Sequence, residues 1–231
     1  MNTKHPLHAL AALMALALII PAVPASAGIT YHATVDTSSL VGDPLSPFSL
    51  YFQFNDGEGT GDTNNTITLS NFTFGAGGSA AGTANPTNGA SGDLYSAISI
   101  VDSSAFNDIY QEFTAGSSLG FDINLTTNLD AGPVPDKFGF AILDKDLNNV
   151  QTTDPGNQFI TIDVDSPTSP TVQTFGSSQS PFTILPPTVE AVEAVPEPAT
   201  CGVLVALGLM GMGTLRRRRR AAGEWRMTND E

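Results

Sequence analysis

From Phe48 to Asn55 the chain alternates without a fault. Phe48, Leu50, Phe52 and Phe54 are apolar, and Ser49, Tyr51, Gln53 and Asn55 between them carry polar groups. Successive side chains of a strand point to opposite faces, so this period of two specifies a strand with one dry, aromatic face and one wet face. The same rhythm returns at Phe121, Ile123 and Leu125, at Phe138, Phe140 and Ile142, and at Ile160, Ile162 and Val164. Tyr31, Ala33 and Val35 place a first strand over residues 29–35. In residues 66–74 the phase slips: Ile67 and Leu69 agree, but Phe72 and Phe74 have moved by one. A β-bulge near Ser70 or Asn71 would absorb that slip. Residues 94–101 form a further strand, with Ile98 and Ile100 on one face. Residues 102–114 fit either a strand or a short helical turn, capped by Ser103 or Ser104, that feeds a strand.

The connections are built from turn formers, as in Asn55-Asp56-Gly57-Glu58-Gly59, the glycine-rich residues 75–92, and Asp154-Pro155-Gly156-Asn157. Short strands with one apolar face hide it only against a second sheet. The expected fold is therefore all-β, an antiparallel β-sandwich or jelly roll, over residues 28–185.

Both ends of the chain differ in kind from this domain. Lys4, His5 and His8 precede an apolar segment, residues 7–20, which Pro21 and Pro24 break before Ala25-Ser26-Ala27. This is the layout of a secretory signal peptide, residues 1–27, with Ala25 and Ala27 as the small residues of the cleavage site. It implies passage through the Sec translocon. At the other end, residues 186–195 are rich in Pro, Val and Glu and read as a stiff, extended linker. Pro196-Glu197-Pro198 follows, then an apolar run over residues 201–215, then Arg216, Arg217, Arg218, Arg219 and Arg220. Residues 221–231 form a tail beyond the arginines.

Pro198 pushes Glu197 towards extended geometry. The apolar run is a short transmembrane helix, and the arginines hold its end on the cytoplasmic side. Its 15 residues reach about 22 Å as a helix against a hydrocarbon core of about 30 Å, which suits a temporary stop better than a permanent anchor. In its order of parts the segment 196–220 resembles the PEP-CTERM sorting signal of Gram-negative bacteria. That resemblance implies export across the inner membrane, recognition and cutting near Pro196-Glu197-Pro198 by an exosortase, and a destination at the outer surface or in the extracellular matrix.

Charge narrows the function. Residues 28–195 hold 19 carboxylates against Lys137 and Lys145 alone, a formal charge of −17. A chain that neutralises phosphates needs a basic patch, so nucleic-acid binding is excluded for this domain. The one cysteine, Cys201, lies in the apolar run, so the exported domain has no disulfide and depends on its core, with calcium as an optional support.

Candidate chemistry is sparse. Asp144, Asp146 and Asn148 put oxygens at alternating positions, as a calcium loop does, but position six is Asn149 where an EF-hand needs Gly, and position twelve is Pro155. Asp163 and Asp165 lie two apart on a strand and share a face on which a cation could sit. Tyr51, with Gln53 and Asn55 at alternate positions, offers a ring and two amides to a glycan. For catalysis there is no Gly-x-Ser-x-Gly elbow and no pair of metal-spaced histidines; His32 reads as structural, and Glu112 is the best-placed lone carboxylate. No enzymatic residues and no obligatory cofactor are expected.

The opening Val35-Asp36-Thr37-Ser38-Ser39-Leu40, followed by Phe52-Gln53-Phe54-Asn55, is also similar to an uncharacterised group of PEP-CTERM proteins. That likeness implies no activity and no site residues. The resemblance to exosortase substrates implies a structural or adhesive role in exopolysaccharide or biofilm material. A calcium-dependent carbohydrate-binding module is the alternative, and a polysaccharide hydrolase stands behind both.

Overall fold

The computed structural model of the chain describes residues 28–177 and 183–192. In chain order the strands are β1 (Gly28–Asp36), β2 (Phe48–Asn55), β3 (Thr66–Thr73), β4 (Ser79–Ala80), β5 (Asn85–Thr87), β6 (Ala90–Gly92), β7 (Ile98–Val101), β8 (Asn107–Thr114), β9 (Ser118–Thr126), β10 (Lys137–Leu143), β11 (Ile160–Asp163), β12 (Thr171–Thr174) and β13 (Thr188–Val192). A single 3-10 turn, Ser38–Leu40, is the only helical element among the described residues.

The strands form two antiparallel sheets. One runs β13-β1-β9-β3-β7-β6; the other runs β12-β11-β10-β2-β8-β4, with β5 also paired to β8. Register aligns the apolar sets row by row. In the first sheet Tyr31, Ile123, Leu69 and Ile98 lie side by side, and in the second so do Ile109, Phe52, Phe140 and Ile160. Both rows face inward and are buried.

Aromatic rings lock the two sheets together. Phe52 meets Phe140 within its own sheet at 5.2 Å between ring centroids, and Phe121 across the sandwich at 5.5 Å, edge to face. Phe121 and Phe140 close the triangle at 5.2 Å. Offset and edge-on geometries of this kind add to the gain from area burial alone.

The phase slip in residues 66–74 is a bulge. The β3–β9 register breaks between Ser70 and Thr73, and Asn71 takes a positive φ of 55°. Residues 102–114 resolve into an irregular connection followed by strand β8 rather than a helix. The glycine-rich residues 75–92 are more ordered than turn composition implies, since they contribute the short strands β4, β5 and β6.

The expected linker needs correction. Residues 188–192, placed by composition in an extended spacer, pair with β1 as the edge strand β13, with Ala33 opposite Val189 and Tyr31 opposite Ala191. An extended Val-rich segment beside an unpaired strand satisfies both sets of backbone groups by joining the sheet. The sandwich therefore extends at least through Val192, beyond the boundary at residue 185.

Among the described residues no helix is long and apolar enough to cross a membrane. The signal segment, the apolar run 201–215 and the arginines lie outside the described residues.

Candidate functional site

At one end of the sandwich the chain crosses three times from sheet to sheet: after β2 into β3, after β7 into β8, and after β9 into β10. The three connections are residues 56–65, 102–106 and 127–136. Asp56 and Asp62 come from the first, Asp102 from the second, and Asp130 and Asp136 from the third. Antiparallel pairing puts these strand ends together, since Asn55 is opposite Lys137 and Thr66 is opposite Val101.

The first connection is wound around Asp56. Its carboxylate accepts the backbone N–H groups of Glu58 and Gly59 at 2.8 Å each through Oδ1, and those of Gly61 at 2.5 Å and Asp62 at 3.3 Å through Oδ2. Burial alone would raise its pKa, but these bonds outweigh burial and hold it below the ordinary value. Glycine is needed in this loop. Gly61 has φ +72°, and a Cβ there would stand 2.4 Å from the Ser103 carbonyl oxygen of the second connection.

Asn65 ties the three connections. Its backbone N–H donates to Asp102 Oδ2 at 2.9 Å, and its side-chain amide donates to Asp136 Oδ2 and to the Asn128 carbonyl, both at 2.8 Å. Asp136 Oδ1 accepts the Gly57 N–H at 2.9 Å. Asn64 donates its side-chain amide to Asp130 Oδ1.

Among the described residues no basic side chain is bonded to these carboxylates: their side-chain partners are the Asn64 and Asn65 amides and, for Asp102 and Asp130, the Asp136 carboxyl. Asp56, Asp130 and Asp136 bring ligand-capable oxygens within 4.8 Å of one another. Asp136 is 1% exposed and Asp102 0%. The domain's two lysines are engaged elsewhere: Lys137 reaches Asp163 at 3.4 Å and Lys145 donates to the Pro44 carbonyl at 3.2 Å. Burial, with the neighbouring charges of Asp136 and Asp62, pushes the Asp102 carboxyl up to about 7, and the same causes push Asp130 up to about 6. Asp102 Oδ1 and Asn64 Oδ1 are buried and receive no hydrogen bond from any N–H or neutral hydroxyl group. A cavity of about 210 Å³, lined by Leu129, Asp130, Pro133, Val134 and Asp165 among others, opens beside Asp130.

Of the residues singled out from sequence only Asp165 reaches this end, where it lines the cavity beside Asp130; the others described lie elsewhere and are not gathered into one place. Asp144 Oδ1 accepts the N–H groups of Asp146 and Asn148 at 2.9 Å each, so this trio forms a self-satisfied turn. Asp163 faces Lys137, whereas Asp165 is occupied by Thr171, accepting its N–H at 2.9 Å and its hydroxyl at 2.5 Å. Tyr51 lies half-buried on the outer face of β2, and its hydroxyl donates to Asp108 Oδ2 at 2.8 Å. Gln53 packs towards Gln158 over Gly139, and Asn55 Oδ1 is buried. Glu112 is exposed on the outward face of β8, without the apolar setting that a general acid requires. His32 Nδ1 lies 2.6 Å from Asp122 Oδ1 on the outer face of the first sheet, a surface pair. Ala25, Ala27, Pro196, Glu197, Pro198 and Arg216 to Arg220 fall outside the described residues.

Two features escaped the sequence reading. One is the acidic cluster, whose only linear trace is an aspartate directly after β2, directly after β7 and directly before β10. The other is Tyr95, in the turn between β6 and β7. Its ring is 65% exposed and stands at a cleft of about 350 Å³ with Thr83, Pro86, Asp93 and Gln111, while its hydroxyl donates to the Gly82 carbonyl at 3.2 Å.

Residues 194–220 match the PEP-CTERM protein-sorting motif. The chain carries a PEP-CTERM sorting motif. The motif marks an exported, membrane-transiting protein that is processed by an exosortase on the way. No curated protein and no solved structure matches the chain.

Proposed function

We propose that this protein is a structural or adhesive component of the cell envelope or extracellular matrix, delivered there by exosortase processing and working by binding rather than turnover. The observation that carries the reading is the sorting motif at residues 194–220, which follows strand β13 (Thr188–Val192) of the sandwich in the chain. The acidic exterior favours solubility and cationic or cation-bridged partners. Exopolysaccharide is the partner this reading names.

The test has two parts. Replacing Pro196, Glu197 and Pro198 with alanine in cells is expected to leave an uncut, membrane-associated form; unchanged release would overturn exosortase delivery. Deleting the protein is expected to weaken matrix cohesion in a biofilm shear assay without loss of any polysaccharide-degrading activity. Loss of a hydrolytic activity on deletion would move the protein to the enzyme class.

Tyr95 supports a second reading, carbohydrate binding. A largely exposed ring at the mouth of a cleft is the kind of surface on which a sugar face stacks. Calorimetry against a glycan panel is expected to give heat that Tyr95→Ala abolishes and Tyr51→Ala leaves in place. Silence across the panel would remove this reading.

A further inference from the structure

We propose that the carboxylates of Asp56, Asp130 and Asp136, backed by Asp102, form a calcium site that staples the three sheet-crossing connections at one end of the sandwich. Proximity of acids on a surface would not be enough. Here Asp102 is fully buried, its carboxyl meets the Asp136 carboxyl, and its Oδ1 receives no hydrogen bond from any N–H or neutral hydroxyl group. An orphaned buried oxygen among like charges is costly, and a cation held by the group removes that cost.

The donor set fits a hard cation. All the candidate ligands are oxygens, without the imidazole or thiolate that zinc or copper would select. Calcium accepts six to eight oxygens in flexible geometry, so three carboxylates with water entering through the cavity beside Asp130 suit it better than magnesium, which demands a near-ideal octahedron. Local protein charge offers no substitute, because both lysines of the domain are committed elsewhere.

The placement tells what the ion does. Each connection brings a carboxylate to the group, and each joins one sheet to the other. One ion would restrain the ends of β2, β7 and β9 and the starts of β3, β8 and β10 together. A domain without disulfides, exported to a compartment where calcium is plentiful, would gain its stability after export and not before.

The test uses the full-length chain purified in mild detergent and stripped with a chelator. Calorimetry with calcium alone is expected to show one ion per chain with Kd of about 0.1–1 mM, the range of extracellular modules. Calcium a hundredfold above Kd is expected to raise the melting temperature by about 5–10 °C, and magnesium to do far less. Asp130→Asn, at the half-exposed position, is expected to weaken calcium binding by about tenfold or more, and Asp136→Asn to abolish it. Asp144→Asn is expected to change neither. If Asp136→Asn does not fold, Asp130→Asn decides. Absence of both heat and melting shift in the unmodified chain would leave these groups as proton-sharing carboxylates and overturn the proposal. So would full retention of calcium affinity in Asp130→Asn, or its loss in Asp144→Asn.

Discussion

Phe52 touches more of the aromatic core than its place in the sequence announces. It meets Phe121, Phe138, Phe140 and Phe72 and is fully buried. Phe52→Ala removes the ring that joins the two sheets, and the sheets, held by register on both sides, cannot close over the gap. The expected loss is about 3–5 kcal/mol of unfolding free energy, read as a lower urea midpoint with an unchanged slope.

Asp122 sets a smaller effect of a different kind. Its carboxylate accepts the Asn71 amide at 2.7 Å and faces His32 at 2.6 Å, and these contacts, the Asn71 bond first, hold its pKa below the ordinary value. A depressed carboxylate pKa contributes stability above the unfolded value of 3.8 and loses it as pH falls through the lower folded value. Asp122→Asn is therefore expected to flatten the acid limb of stability below about pH 4, by roughly 1 kcal/mol or less at this quarter-exposed position. A pH series of urea midpoints for both proteins checks it.

At the scale of elements, the loops at the crossover end are as tightly specified as the strands. Gly61→Ala would force a Cβ towards the Ser103 carbonyl in a backbone conformation that L side chains resist. The expected cost is about 2–3 kcal/mol, with loss of the four N–H bonds to Asp56 visible as faster amide exchange at Glu58, Gly59, Gly61 and Asp62. An ordinary surface turn would tolerate the change within about 0.5 kcal/mol. The bulge in β3 shows the reverse relation: a one-residue slip in the apolar phase of Ile67, Leu69, Phe72 and Phe74 announced it, because a strand has no other way to return an aromatic to the core. Strand β13 gave no such warning. Residues 188–192 alternate over only four positions, Thr188 to Ala191, too few to mark a strand in a Pro- and Glu-rich stretch, and the edge of β1 is what recruits them.

At the scale of the whole molecule, the sandwich is followed by a sorting motif at residues 194–220 and preceded by the segment expected to act as a signal peptide. Strand β1 takes in Gly28, the residue after the expected cleavage point, as the first of its paired residues, opposite Thr126. Mature protein is expected to begin at or near Gly28, checked by N-terminal sequencing of the exported form; a start at Met1 would contradict it. Strand β13 extends the described sandwich to Val192, well past residue 185, where composition placed its end. Inserting about ten Gly/Ser residues after Val192 lengthens the reach of that junction and is expected to leave export intact, or to speed cleavage, in a pulse-chase assay.

The amino-acid sequence by itself determined the strands with clean alternation, the bulge, the all-β class and the sorting motif. Each of these is written in neighbouring residues: a period of two, a slip of one, or a fixed order of proline, apolar run and arginine. The tertiary structure alone decided the strand order, the recruitment of residues 188–192, and the meeting of Asp56, Asp102, Asp130 and Asp136. Those carboxylates are spread over 81 positions and look in sequence like solvated turn residues. Three crossovers at one end of two sheets bring them together, and burial without a basic partner changes what they can bind. Strand identity is a local property of side-chain period, whereas a ligand set is a property of which chain ends the sheets place side by side.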